Sequence, residues 1–140
     1  GARVVQGYGM TEIAGASHVQ RENDPPGSVG VALPNVEWRV VDPDGGAELE
    51  VGQHGEIWVR GPSLMTGYLN QPDATRATLD DEGWLHTGDI GYGDAEGRCF
   101  IVDRLKELIK FKGYQVAPAE LEAVLLSHPA VADAGVVPMP

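Results

Sequence analysis

The chain has 140 residues, with 21 acidic side chains against 10 basic ones, a formal net charge of −11 and a hydrophobic fraction of 42%. A surface this acidic repels phosphate backbones and sets general nucleic-acid binding aside, while the apolar content is that of a folded chain rather than a disordered one. No apolar run approaches the ~20 residues of a membrane span, and the single cysteine, Cys99, excludes an intrachain disulfide and a cysteine-based zinc site and fits a reduced, cytoplasmic setting.

Glycine (19) and proline (10) make up about a fifth of the chain, which predicts many tight turns and short strands. In chain order, residues 3–6 read as a strand that enters a Gly7-Tyr8-Gly9 turn. Asp24 to Gly27 is a loop. Val36, Trp38 and Val40 alternate with Glu37 and Arg39, the pattern of a half-buried strand. Asp42 to Gly46 is a turn, and a strand over 56–60 is closed by Gly61-Pro62. A short helix is expected over 73–79, with Pro72 near its start. Asp94 to Gly97 reads as a hairpin turn between strands at 89–92 and 98–102.

The pattern then changes. Strands are expected at 107–112 and 114–116, and Pro118 opens a helix with Glu120 and Glu122 near its positive end. Leu121, Val124 and Leu125 form its apolar stripe, Ser127-His128-Pro129 ends it, and 131–137 reads as one more strand. The predicted fold is α+β. A strand-rich, β-barrel-like portion covers 1–102, a boundary falls at 103–106, and 107–140 begins a small β-α-β unit. About thirty residues bury too little surface for a complete domain, so that unit is expected to be incomplete.

All three lysines, Lys106, Lys110 and Lys112, fall within seven residues, and with Arg104 they place four of the ten positive charges in nine positions. Such a cluster faces an anion or forms a basic strand edge that resists pairing. In an extended strand Lys110 and Lys112 share a face, which suits a phosphate-rich ligand. His86 reads as a packed residue, and His18, His54 and His128 are too scattered for a metal site. Trp38, Trp58 and Trp84, with Leu105, Ile109 and Phe111, read as packing groups.

Three segments carry a resemblance: Gln6-Gly7-Tyr8-Gly9-Met10-Thr11-Glu12, Gly83-Trp84-Leu85-His86-Thr87-Gly88-Asp89, and the run from Asp103 through Glu122 that contains Lys110-Phe111-Lys112-Gly113-Tyr114-Gln115. In this order, with Gly55 to Gly61 and Gly67-Tyr68 between them, they resemble the adenylate-forming enzymes, which include acyl- and aryl-CoA ligases, firefly luciferase and peptide-synthetase adenylation domains. The 4-coumarate–CoA ligase group is the most similar. The resemblance implies an ATP-dependent carboxylic acid–CoA ligase. The acid attacks the α-phosphate, pyrophosphate leaves, and a thiol then displaces AMP from the acyl-adenylate. ATP, magnesium and coenzyme A are the implied ligands, with a small carboxylic acid as substrate.

By that resemblance, Gln6, Gly7, Tyr8, Asp89, Ile101 and Arg104 contact the nucleotide, with Tyr8 on adenine and Asp89 on the ribose hydroxyls. Thr11 offers its hydroxyl to the phosphate, and Glu12 supplies an oxygen for magnesium. Read without the family, Tyr8 is an aromatic plug in a glycine-rich turn, Glu12 a solvated charge and Ile101 a core residue. Lys106 falls on the family's hinge and also on its nucleotide set. Lys110 and Gln115 face the adenylate during thioester formation, and Lys112 and Gly113 line the path of coenzyme A. Gly15 and Ala16 border the acyl pocket. They are smaller than the Pro and Val usual in the plant ligases, which implies a wider pocket and admits a fatty acid or another aromatic acid.

The family's Ser/Thr/Gly-rich phosphate loop and its late adenylation lysine are absent from these 140 residues. The chain is therefore expected to be part of a longer ligase and to be inactive in isolation. The competing reading from another class is a non-catalytic nucleotide-binding or interaction module, which holds if 140 residues is the natural length. Luciferase-like oxidation and peptide-synthetase activity fit the motifs less well.

Overall fold

In a computed structural model the described residues are 4–111 and 114–138. Seven strands form one antiparallel sheet: β1 (Gly7–Met10), β2 (Gly15–Val19), β3 (Ser28–Ala32), β4 (Glu37–Val41), β5 (Gly55–Arg60), β6 (Leu85–Gly93) and β7 (Arg98–Arg104). Their order is β1-β2-β3-β7-β6-β5-β4. Tight turns join β6 to β7, where Asp94 Oδ1 accepts the Glu96 and Arg98 amides and Gly97 takes a positive φ of 74°. The sheet curls. His18 on β2 and Trp38 on β4 lie near opposite ends of the strand order, yet their rings meet edge to face at 5.0 Å. Inside the curl, Ile57, Val59, Leu85 and Cys99 are fully buried, joined by Tyr8, Ile13 and Val40. This is the strand-rich, barrel-like portion predicted above.

Helix α1 (Pro72–Thr78) sits between β5 and β6, with Pro72 in its first turn where the missing N–H matters least. After β7 the chain makes a 3₁₀ turn (Leu105–Glu107), then a separate two-stranded sheet of β8 (Ile109–Phe111) and β9 (Tyr114–Val116), then α2 (Pro118–Leu126). The stripe of α2 stays largely uncovered, with Leu121 and Leu125 about 45% exposed and Val124 68%.

Several elements differ from expectation. Residues 4–6 are not a strand, Arg3 lies outside the described residues, and the Gly7-Tyr8-Gly9 turn is instead β1, paired with β2. The glycines that suggested a turn serve pairing: a Cβ on Gly9 would lie 1.9 Å from the Gly15 carbonyl oxygen. Strands β2 and β3 went unpredicted because their apolar residues do not alternate cleanly. β7 runs two residues further than expected, to Arg104, so the boundary at 103–106 begins inside a strand. Residues 131–137 form no strand, since a strand needs an edge to pair with and the β8–β9 sheet does not pair with them.

Candidate functional site

The site is assembled where β1, β6 and β7 lie near one another. The β6–β7 register sets Asp89 directly opposite Arg104, and Arg104 Nε approaches Asp89 Oδ1 at 3.5 Å. On the other side the Tyr8 hydroxyl, from β1, donates to Asp89 Oδ2 at 2.7 Å. Burial and the neighbouring carboxylate push the Tyr8 hydroxyl well above its ordinary pKa, so it remains a donor throughout the physiological range. A cleft of about 420 Å³ opens here, lined by Tyr8, Gly9, Met10, Asp89, Ile101 and Arg104 among others. A second of about 150 Å³ adjoins it, lined by Met10, Thr87, Gly88, Asp89, Arg104 and Lys106.

The loop that presents Asp89 is held from below. Glu56 is buried, and its carboxylate accepts the Gly88 amide at 2.9 Å and the Trp58 indole N–H at 2.8 Å. The Thr87 hydroxyl donates to the Ile57 carbonyl at 2.6 Å and accepts the Asp89 amide at 3.1 Å. Gly88 adopts a φ of +73°, a region that a side chain disfavours. Glu56 was missed in the sequence because a strand glutamate gives no sign of facing inward. His86 stacks on Trp58 with ring centroids 3.7 Å apart, a packing role as expected.

Structure brings some predicted residues together and keeps others apart. Tyr8, Asp89, Ile101, Arg104 and Lys106 share the paired clefts. Tyr8 is 9% exposed and belongs to the core as well as to the cleft wall. Gln6 is exposed just before β1, where its amide and carbonyl pair with Gln20, and Gly7 is exposed beside it. Thr11 is exposed at the start of a 3₁₀ turn that follows β1. Glu12 is half-buried, and its Oε1 accepts the Tyr68 hydroxyl at 2.7 Å. Gly15 and Ala16 are exposed on β2, opposite Met10 and Gly9. Lys110 and Gln115 are direct cross-strand partners in β8 and β9. Lys112 and Gly113 lie outside the described residues.

No group of three His, Cys, Asp or Glu side chains among the described residues could hold a metal ion. A single carboxylate such as that of Glu12 fits a hard divalent cation that keeps waters and takes its remaining oxygens from a phosphate chain. Among the described residues, no helix is long and apolar enough to cross a membrane.

Comparison with known proteins shows what the chain is similar to. Residues 1–69 match the family model described as AMP-binding enzyme. The 4-coumarate–CoA ligase-like protein 2 of Arabidopsis thaliana is 54% identical over 141 residues, covering 99% of this chain and 25% of the relative. Luciferin 4-monooxygenase of Photinus pyralis is 57% identical over 136 residues, covering 96% of this chain and 25% of the relative. Among solved structures, o-succinylbenzoate coenzyme A synthetase from Bacillus subtilis, in complex with ATP and magnesium ion, superposes with a TM-score of 0.80 at 42% identity over 94% of this chain and 28% of that one. The chain thus spans about a quarter of the length of the curated relatives it matches.

Proposed function

We propose that this chain, which belongs to the adenylate-forming AMP-binding enzymes, carries the nucleoside side of an ATP-dependent acid–CoA ligase. The observation that supports this is the convergence of Tyr8, Asp89, Ile101 and Arg104 on one cleft. Asp89 is the ribose acceptor: a carboxylate has about four lone-pair sites, so one bond from Tyr8 leaves capacity for both sugar hydroxyls. Arg104 faces Asp89 across the β6–β7 pair and adds a cation at the ribose–phosphate end. Tyr8 and Ile101 form the apolar wall for the base. Thr11 donates to the α-phosphate as negative charge grows on it during attack by the acid. Magnesium, when bound with ATP, neutralises phosphate charge, and Glu12 is the side chain that would hold it.

In this reading 1–102 is the late part of a large domain, 103–106 is a hinge at Lys106, and 107–140 begins a mobile small domain. Lys110 and Gln115 then face the adenylate, and Lys112 and Gly113 guide coenzyme A. The acid is an aryl acid of the 4-coumarate type. A second reading, a fatty or bulkier aromatic acid, is favoured by the small Gly15 and Ala16 on an exposed stretch of β2.

The test is acid-dependent ATP–pyrophosphate exchange by the intact protein, followed by thioester formation with coenzyme A, across aryl and fatty acids. Exchange with one acid class, completed by thioester release, is expected. Nucleotide binding without exchange for any acid would leave the non-catalytic module as the correct reading.

A further inference from the structure

The loop between β5 and α1 reaches back to Glu12 by two bonds. The Met65 amide donates to the Glu12 carbonyl at 2.8 Å, and the Tyr68 hydroxyl donates to Glu12 Oε1 at 2.7 Å across 56 residues. Tyr68 is itself fixed by α1. Its amide donates to Thr75 Oγ1 at 2.9 Å, and Thr75 Oγ1 donates on to the Gln71 carbonyl at 2.9 Å. Gly67, at φ +145°, lets this loop lie close: a Cβ there would come within 2.7 Å of Thr75 Cγ2. A half-buried tyrosine is therefore held by a helix and aimed at one oxygen of one glutamate.

We infer that Tyr68 is a positioning residue for metal-bound nucleotide: it locks the Glu12 carboxylate so that Oε2 is presented to the divalent cation on the phosphate chain. The inference rests on the nucleotide reading above. A free glutamate side chain loses rotamer freedom when it takes up a metal, and a prior hydrogen bond to one oxygen removes much of that loss in advance. Among the described residues only Oε1 is hydrogen-bonded, so the lock leaves the other oxygen available. Tyr68 touches neither substrate nor reacting atoms. It acts through Glu12.

The experiment measures ATP affinity of the intact protein by calorimetry, with chelator present and as a function of Mg²⁺, for wild type, Tyr68→Phe, Glu12→Gln and the double variant. Tyr68→Phe is expected to raise the half-saturating Mg²⁺ about 10-fold while leaving the affinity for metal-free ATP unchanged. In the Glu12→Gln background, Tyr68→Phe is expected to add nothing, because its route to the metal is already lost. A Tyr68 that only supports the loop would weaken ATP equally with and without Mg²⁺, or would add its full effect to Glu12→Gln; either result overturns the inference. If Glu12→Gln shifts the Mg²⁺ requirement and Tyr68→Phe does not, the inference fails while the nucleotide reading stands. If wild type shows no Mg²⁺-dependent ATP binding, the nucleotide reading itself fails.

Discussion

The hydroxyl of Tyr8 donates to Oδ2 of Asp89 at 2.7 Å, joining β1 to β6 across 81 residues. It ties the first and second motifs into one unit, and it changes what each residue does. Asp89 is not a free carboxylate waiting for a sugar: one oxygen is already shared. Tyr8 is anchored at its polar tip, so the ring cannot swing to follow a ligand. Tyr8→Phe keeps the ring and removes the anchor. The expected result is a loss of about 1.5–3 kcal/mol in unfolding free energy, the range for a hydrogen bond to a charged group. ATP affinity should fall only a few-fold, because Arg104 still faces Asp89. Denaturant unfolding and nucleotide titration on the same preparation check both halves.

Asp89→Ala removes the acceptor itself. It strips the ribose contact and leaves both Tyr8 and Arg104 without their partner, so the effect on ATP should exceed that of Tyr8→Phe. Affinity is expected to fall about 10- to 100-fold, corresponding to roughly 1.4–2.8 kcal/mol. An unchanged ATP affinity would remove Asp89 from the site.

Glycine 9 separates two explanations of the same motif. If the residue is glycine so that a ligand can approach, Gly9→Ala leaves stability intact and weakens nucleotide binding. The β1–β2 pairing argues otherwise, because an added Cβ would lie 1.9 Å from the Gly15 carbonyl oxygen and 2.6 Å from Ala16 Cα. Backbone must move to admit it. Gly9→Ala is therefore expected to destabilise the protein by about 1–3 kcal/mol or more, with the lost nucleotide affinity following from a displaced β1. A midpoint equal to wild type in denaturant would overturn this account.

Much of this was legible in the sequence, and the gaps have physical reasons. β4 showed itself through period-two alternation, and α1 and α2 through proline in the first turn. Asp89, Arg104 and Lys106 are legible as members of motifs. β1 was misread because glycine marks both turns and close strand packing, and only the partner strand distinguishes them. Glu56 and Tyr68 were not assigned roles, since their importance lies in which distant group they reach. The buried Ser17–His18 pair left no sign either, as two adjacent inward-facing residues break strand alternation.

His18 is expected to make the fold pH-sensitive. It is fully buried, its Nδ1 meets Ser17 Oγ at 3.0 Å, and its Nε2 has no hydrogen-bond partner among the described residues. Burial pushes its pKa down from 6.5 to about 4. The folded state therefore disfavours the proton that the unfolded chain accepts. Stability is full above pH 6.5, declines as pH falls, and stops declining near pH 4, where the folded histidine also protonates. The total effect is about 3 kcal/mol. Carboxylates titrate in the same window, so the measurement is a difference: unfolding free energy at pH 7, 5.5 and 4 for wild type and for His18→Asn. Wild type should lose more between pH 7 and 4, and parallel curves would show that His18 is not the sensor.

The hinge reading gives the sharpest separation of steps. β7 ends at Arg104, and Lys106 lies exposed in the middle of the 3₁₀ turn that follows. Beyond it the chain forms its own small sheet and helix, tied back where the Ala119 amide meets Asp103 Oδ2 at 3.3 Å and where His54 Nδ1 lies 3.8 Å from Glu120 Oε1. A hinge absorbs a change of φ/ψ at one or two residues while the bodies on each side stay intact. Proline fixes φ near −65°, and in the first turn of a helix it is tolerated without losing a hydrogen bond. Lys106→Pro in the intact protein should therefore fold, hold the small domain in one orientation and block the change to the other. Acid-dependent pyrophosphate exchange is expected to stay within about 3-fold of wild type, while thioester formation falls by about 10-fold or more. Lys112→Ala, by contrast, should raise the KM for coenzyme A and leave exchange unchanged. Equal slowing of both half-reactions by Lys106→Pro would make Lys106 a general structural or nucleotide contact, and the division at 103–106 would then have no part in the mechanism.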